Sequence, residues 1–93
     1  MAPSEQELRD LAVQLGECMT SKGMKLASAE SCTGGWLAKI ITDIPGSSSW
    51  FVASVVSYSN DAKHSLLDVS ADTLTEFGAV SGDTVLEMSD GLF

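Results

Sequence analysis

Two short polar turns carry the residue types that could perform acyl-transfer chemistry. The first, Ala29 to Gly35, offers the hydroxyl of Ser31 with Thr33, Gly34 and Gly35 beside it. Side chains leave the backbone N–H groups of such a small, glycine-rich turn uncovered. At the start of a predicted helix, these N–H groups could hold an anion or a developing oxyanion. The first turn therefore predicts a hydroxyl nucleophile beside an anion-binding backbone.

The second turn, Tyr58 to Lys63, places a lysine in the first turn of another predicted helix. A partly desolvated lysine near the positive end of a helix has its charged form disfavoured. The neutral amine could then take a proton from Ser31, because Ser–Lys pairs are a variant of the Ser-His-Asp arrangement. Tyr58 could relay that proton or hold the serine in place. His64, the only histidine, is expected on a different helix face from Lys63.

Each of these residues also has a simpler interpretation when it is considered alone. Ser31 could be a helix cap, Lys63 a solvated surface lysine and Tyr58 an aromatic residue at a strand end. Gly34–Gly35 could serve only to let a helix pack closely, and Glu30 is expected to be a surface acid that could orient Lys63. From spacing alone, the catalytic and the structural interpretations both stay open.

The pattern along the chain predicts five helices and two strands. Ser4 with Glu7 forms a capping box, and serine caps also precede the last three predicted helices. The first helix has an apolar stripe of Leu8, Leu11, Ala12, Leu15, Cys18 and Met19. The predicted elements are a helix to about Ser21, a strand at Met24–Ser28, a helix at Trp36–Asp43, a strand at Trp50–Tyr58, and helices at Asp61–Leu67, from Ser70 to Gly78, and after Ser81.

The order of these elements, α-β-α-β-α-α-α, predicts an α/β fold with a parallel sheet. Ligands of open parallel sheets bind outside the carboxyl ends of the strands, which is where both polar turns are placed. If the two strands are neighbours, the two turns face each other. A parallel sheet normally has more than two strands. We therefore expect a partial domain, or one that a second copy of the chain completes.

Composition excludes several classes of function. Thirteen acidic against five basic residues give a net charge of −8, which argues against nucleic acid as a partner. No apolar run is long enough to span a membrane, and the acidic N-terminal segment does not resemble a signal peptide, so a cytoplasmic location is predicted. Cys18 and Cys32 lack metal-ligand spacing and are expected to be reduced, partly buried thiols. No metal site is predicted.

The two turns also carry a resemblance to a known family. Ala29-Glu30-Ser31-Cys32-Thr33-Gly34-Gly35, followed by Trp36-Leu37-Ala38, resembles the family motif A-E-S-C-T-G-G and its helix. Tyr58-Ser59-Asn60 with Ala62-Lys63 matches the motif Y-S-N-x-x-K, and Gly78-Ala79-Val80-Ser81 continues the similarity. The sequence is therefore similar to the CinA C-terminal domain family, which includes nicotinamide-nucleotide amidohydrolases. The likeness runs from about Leu8 onward.

This resemblance implies a layered α/β/α sandwich, here truncated to two strands and about five helices, with residues 1–93 forming one partial domain. It implies hydrolysis of nicotinamide mononucleotide to nicotinate mononucleotide and ammonia, without a metal or organic cofactor. Ser31 would be the nucleophile, Lys63 the general base and later acid, and Tyr58 an assisting hydroxyl. The partner implied is a small-molecule nucleotide substrate; the incomplete two-stranded sheet separately predicts a homo-oligomer. The remaining motif residues are expected to bind substrate: Glu30, Cys32, Thr33, Gly34, Gly35 and Asn60.

The sequence also departs from the family pattern. Leu67-Asp68-Val69 stands where family members usually have Leu-Gly-Val, which we interpret as a minor surface change. Family domains continue beyond the position of Phe93 with further strands and a glycine-rich loop that helps to build the substrate site. The alternative function is therefore a truncated, catalytically silent domain that forms oligomers or binds a nucleotide.

Overall fold

The computed structural model describes residues 3–93; Met1 and Ala2, the start of the segment interpreted as unlike a signal peptide, lie outside the described residues. None of the helices in residues 3–93 combines the length and the apolar composition needed to cross a membrane. The elements are α1 (Glu5–Lys22), β1 (Leu26–Glu30), α2 (Trp36–Thr42), a 3-10 helix (Ser47–Ser49), β2 (Phe51–Val56), α3 (Asn60–Leu67), α4 (Ala71–Phe77) and α5 (Gly82–Gly91).

The two strands are neighbours in a parallel sheet. The N–H of Leu26 donates to the carbonyl of Trp50 at 2.7 Å, and the N–H of Ser57 donates to the carbonyl of Glu30 at 2.9 Å. Because the paired residues advance together along both segments, β1 and β2 run in the same direction. The predicted α/β fold class and element order are confirmed.

The predicted strand boundaries are wrong by one or two residues at all four ends. The first strand begins at Leu26 rather than Met24, because pairing with the second strand starts at Leu26. It also continues through Glu30, so the following turn consists only of residues 31–35. The second strand is shorter than Trp50–Tyr58, since Trp50 caps the 3-10 helix and pairing ends before Tyr58.

The four predicted serine caps are confirmed. In each case the residue before the helix has extended backbone geometry, and its hydroxyl accepts an N–H from the first turn. Gly23 ends α1 in a left-handed conformation with φ of 64°. The donor and cap pairs are Glu7 with Ser4, Ala62 with Ser59, Asp72 with Ser70 and Thr84 with Ser81.

Two compact units divide the chain, and the first comprises residues up to Ala27 together with Trp36–Ala53. Within it, α1 packs against α2, and Gly16 lies against the ring of Trp50, which is 4% exposed. A Cβ atom on Gly16 would lie 2.8 Å from Trp50 Nε1, so this contact needs glycine. The segment Ser47–Ser49, predicted as a polar connection, forms the 3-10 helix.

The apolar stripe predicted for α1 is only partly buried. Ala12 and Gly16 are buried, whereas Leu11 is 57% exposed and Cys18 is exposed. The ring of Trp50 lies directly against Gly16, and the buried face of α1 is therefore the one centred on these small residues. The prediction that Leu11 and Cys18 belong to the buried face is wrong for this reason.

The second unit comprises Ser28–Gly35 and Ser54–Phe93. Helices α3 and α4 both pack against α5. The carboxylate of Glu87 on α5 accepts the N–H of Ser70 at 2.9 Å. Hydrogen bonds from Thr73 and Ser70 lower the pKa of Glu87 below its ordinary value. The core of this unit is made of Leu67, Val69 and Met88, with Ala29, Val55, Leu74 and Leu92 against them.

Asp68 occupies a more demanding position than the sequence suggests. It caps the C-terminal end of α3 with φ of 56°, in the left-handed region that favours glycine. Its neighbours Leu67 and Val69 are 1% and 0% exposed, which fixes the backbone on both sides. The departure from the Leu-Gly-Val pattern therefore affects a helix end as well as the surface.

Candidate active site

Both predicted turns lie in the second unit, directly after the paired strands. The last hydrogen bond between the two segments joins Ser57 to the carbonyl of Glu30. Ser31 follows Glu30, and Tyr58 follows Ser57, so the two turns start from adjacent positions at the carboxyl ends of the strands. Lys63 is on the first turn of α3, just beyond. The topology therefore brings the segments that carry Ser31, Tyr58 and Lys63 to one end of the sheet.

A backbone hydrogen bond within the turn after β1 holds Ser31 in place. The N–H of Gly34 donates to the carbonyl of Ser31 at 3.0 Å. Gly34 and Gly35 have φ values of 61° and 96°, a backbone conformation that residues other than glycine rarely adopt. Because the Gly34 N–H is used inside the turn, an oxyanion at this turn would rely on other N–H groups. Ser31 itself is half-buried, which leaves part of the residue open to solvent.

Glu30 is a buried acid, and the prediction that it lies on the surface is wrong. The residue is only 4% exposed. Its Oε1 accepts the hydroxyl of Thr33 at 2.8 Å, and its Oε2 accepts the hydroxyl of Ser54 at 3.1 Å. Burial of a carboxylate is tolerated when donors satisfy it, and both partners are placed by the sheet and the turn.

Lys63 is buried as well, which rules out the interpretation as a solvated surface lysine. It is 1% exposed, and its Nζ donates to the carbonyl of Tyr58 at 2.8 Å. Residues four positions apart share a helix face, and Lys63 and Leu67 are the buried residues of α3. The amine therefore lies on the inner side of α3, close to the end of β2.

Tyr58 contacts this lysine through its backbone rather than its hydroxyl. The residue is 76% exposed, and the atom bonded to Lys63 Nζ is the Tyr58 carbonyl oxygen. Proton relay by the Tyr58 hydroxyl stays a prediction. Asn60 is exposed as the first residue of α3. His64 is exposed and its Nδ1 lies 2.8 Å from the Val69 carbonyl, so it occupies a different face from the buried lysine, as expected.

Both cysteines are free and exposed, so the prediction of partial burial is wrong. Cys32 lies in the exposed part of the turn between Ser31 and Thr33, and Cys18 lies away from the buried face of α1. Across residues 3–93, no group of three or more His, Cys, Asp or Glu side chains could hold a metal ion.

Three serines at the strands are part of the site, and sequence reasoning missed them. The hydroxyl of Ser28 donates to that of Ser54 at 2.8 Å, which in turn donates to Glu30. Ser57 is fully buried, and its hydroxyl has no hydrogen-bond partner in the described part of the chain. Alternation along β1 places Ser28 and Glu30 on one face, and this polar face could have been recognised from the sequence.

Ser57→Ala is expected to leave the free energy of unfolding unchanged or to raise it by up to about 1 kcal/mol, because a buried unpaired hydroxyl is costly. Urea denaturation measures this change. The matched control is Ser54→Ala, which removes a hydroxyl that is bonded to Glu30 and is expected to cost about 1–3 kcal/mol. An equal loss of unfolding free energy in Ser57→Ala and Ser54→Ala would show that the Ser57 hydroxyl does have a stabilising partner.

This site combines a serine in a hydrogen-bonded turn, a buried amine and a buried carboxylate at one end of a parallel sheet. The sequence model of the CinA C-terminal domain family matches residues 8–93. Nicotinamide-nucleotide amidohydrolase PncC from Enterobacter agglomerans is 53% identical over 89 residues, covering 96% of this chain and 54% of that protein. PncC from Escherichia coli strain K12 is 48% identical over 88 residues, covering 95% and 53% respectively.

Solved structures agree with this similarity. The competence/damage inducible protein CihA from Agrobacterium tumefaciens matches with a TM-score of 0.89 at 42% identity, covering 98% of this chain and 54% of that one. The chain spans about half the length of the curated relatives named above. On the match over residues 8–93, the chain belongs to the CinA C-terminal domain family.

Proposed function

We propose that this chain carries the Ser/Lys chemistry of an amidohydrolase acting on nicotinamide mononucleotide. The observation that supports it best is the burial of Lys63. Its amine is hydrogen-bonded to the Tyr58 carbonyl just after β2, and β2 pairs with β1, the strand that leads into Ser31. A buried amine close to a serine-bearing turn is the arrangement that a Ser/Lys mechanism needs. The relatives named nicotinamide-nucleotide amidohydrolase suggest the substrate.

In the proposed reaction, neutral Lys63 takes the proton of the Ser31 hydroxyl as the serine oxygen attacks the carboxamide carbon. The tetrahedral intermediate collapses when Lys63 returns that proton to the leaving nitrogen, which releases ammonia and leaves an ester on Ser31. Water then attacks the ester while Lys63 again accepts a proton. Collapse of the second intermediate returns the proton to the serine oxygen and releases nicotinate mononucleotide.

The other motif residues have supporting roles in this proposal. The Tyr58 hydroxyl assists proton transfer, and backbone N–H groups of the turn at residues 31–35 stabilise the oxyanion. Exposed Cys32 and Asn60 are available to contact the nucleotide. All steps use side chains, backbone groups and water, without a metal or organic cofactor.

A catalytically silent domain is the second candidate function. The sheet exposes apolar side chains on β2, where Val52 is 67% and Val56 is 43% exposed, and such strands associate readily. This candidate predicts a homo-oligomer, or a nucleotide-binding piece, without turnover. A folded monomer in light scattering would count against the oligomer. The homo-oligomer and the cytoplasmic location stay predictions.

Ammonia release from nicotinamide mononucleotide tests the proposed function directly. Ser31→Ala is expected to lower turnover by roughly 10³-fold or more, because removal of a nucleophile eliminates the covalent route. The matched control is Ser65→Ala, which removes an exposed hydroxyl from α3 and should leave turnover unchanged. Turnover that survives Ser31→Ala would refute the Ser/Lys assignment. No turnover in any variant would favour the silent domain.

A further inference from the structure

The carboxylate of Glu30 links the turn that carries Ser31 to the neighbouring strand. One oxygen accepts the Thr33 hydroxyl at 2.8 Å, and the other accepts the Ser54 hydroxyl at 3.1 Å. Ser54 in turn accepts the hydroxyl of Ser28 at 2.8 Å. This chain of hydrogen bonds runs from β1 through β2 and the buried carboxylate to the turn.

The Thr33 contact closes a short loop around Ser31. Glu30 and Thr33 lie on either side of Ser31 and are three residues apart from each other. The hydrogen bond from the Gly34 N–H to the Ser31 carbonyl closes a second loop that overlaps the first. Each of these hydrogen bonds joins residues three positions apart, so each limits the backbone conformations open to Ser31. Two overlapping closures, one of them to a carboxylate anchored on β2, therefore restrict the backbone of Ser31.

We propose that Glu30 is a positioning residue that fixes the Ser31 turn through the hydroxyl of Thr33. This inference rests on the proposed function and gives Glu30 and Thr33 a role other than substrate contact. Ser54 on β2 donates to the second carboxylate oxygen. The turn is therefore held by a contact to the sheet as well as by its own hydrogen bonds. Such support from a second layer of residues is what keeps a nucleophile within the narrow range of productive geometry.

Thr33→Val removes the hydroxyl at nearly constant shape, and Thr33 is exposed, so the variant is expected to fold. Amide hydrogen exchange measured by NMR reports the turn at Gly34 and the core at Val69, whose N–H donates to the Lys63 carbonyl. Gly34 exchange is expected to accelerate about tenfold, equivalent to about 1.4 kcal/mol, with Val69 exchange unchanged. Thr33→Ser keeps a hydroxyl and should restore the slow exchange of Gly34.

In the same variants, we expect kcat for ammonia release to fall about tenfold in Thr33→Val with little change in KM, because positioning acts on the reacting state rather than on binding. Glu30→Gln combined with Thr33→Val should lower kcat by less than the product of the two single effects, since both weaken the contact between Thr33 and Glu30, while Glu30→Gln also changes the contact with Ser54. An additive double variant would overturn the proposal.

The exchange and activity measurements separate two kinds of failure. Unchanged Gly34 exchange in Thr33→Val, or equal acceleration at Gly34 and Val69, would overturn the positioning role even if ammonia release depends on Ser31. Acceleration confined to Gly34 in a chain that releases no ammonia would support the positioning role and refute the proposed function.

Discussion

Lys63→Met is expected to lower ammonia release by about 10²–10⁴-fold, the range contributed by a general base. Methionine matches the length of the lysine stem and fills the same space, so the packing at this 1%-exposed position is largely kept. The amine that would accept the Ser31 proton is lost. Steady-state ammonia release, with a thermal melt to confirm folding, measures the effect.

A second substitution separates basicity from charge at the same position. Lys63→Arg places a guanidinium there, which stays protonated in proteins and cannot act as a base, so turnover should remain low even though a cation is present. Lys22→Met makes the matched change at an exposed lysine in the last turn of α1 and should leave turnover unchanged. Wild-type turnover in folded Lys63→Met would remove Lys63 from the mechanism.

Gly91→Ala is expected to destabilise the fold by about 2 kcal/mol, because overpacking costs about 1–3 kcal/mol and exceeds the small gain in helix propensity. A Cβ on Gly91 would lie 1.9 Å from the carbonyl oxygen of Leu67 and 2.6 Å from its carbonyl carbon. A backbone obstacle cannot rotate away as a side chain can, so α3 or α5 must shift. For a chain of this size the melting temperature should fall by about 10 °C.

The control for this change lies in the same helix. Gly82 is the first residue of α5, and a Cβ there would meet no atom within 4 Å. Gly82→Ala should therefore change the melting temperature little, or raise it slightly through helix propensity. Equal melting temperatures for Gly91→Ala and Gly82→Ala would show that α3 and α5 pack less closely than the structure indicates.

Features that depend on a few adjacent residues could be predicted from the sequence. The serine caps at Ser4, Ser59, Ser70 and Ser81 are confirmed because a cap needs only its own hydroxyl and an N–H two or three residues later. The element order, the α/β class and the placement of both turns after strands follow from the same local patterns. These features fix where the chemistry-bearing segments begin.

Burial of the charged residues could not be predicted in the same way. Ser54, which holds Glu30, is 24 residues away in sequence, and only strand pairing brings them together. Lys63 is buried because its face of α3 turns inward, which a single lysine beside polar neighbours does not reveal. Even the start of β1 depended on its pairing with Trp50. The roles of these residues thus require tertiary contacts.

The acceptor that holds the Lys63 amine affects how the amine can gain and lose a proton. Because it is a backbone carbonyl, it carries no ionisable proton and no full charge. An amine retains N–H donors whether or not it bears the extra proton, so the same tether can exist before and after each transfer. A carboxylate partner would instead favour the charged amine and oppose release of its proton. In the proposed cycle, the nitrogen can therefore alternate between acid and base without changing its anchor.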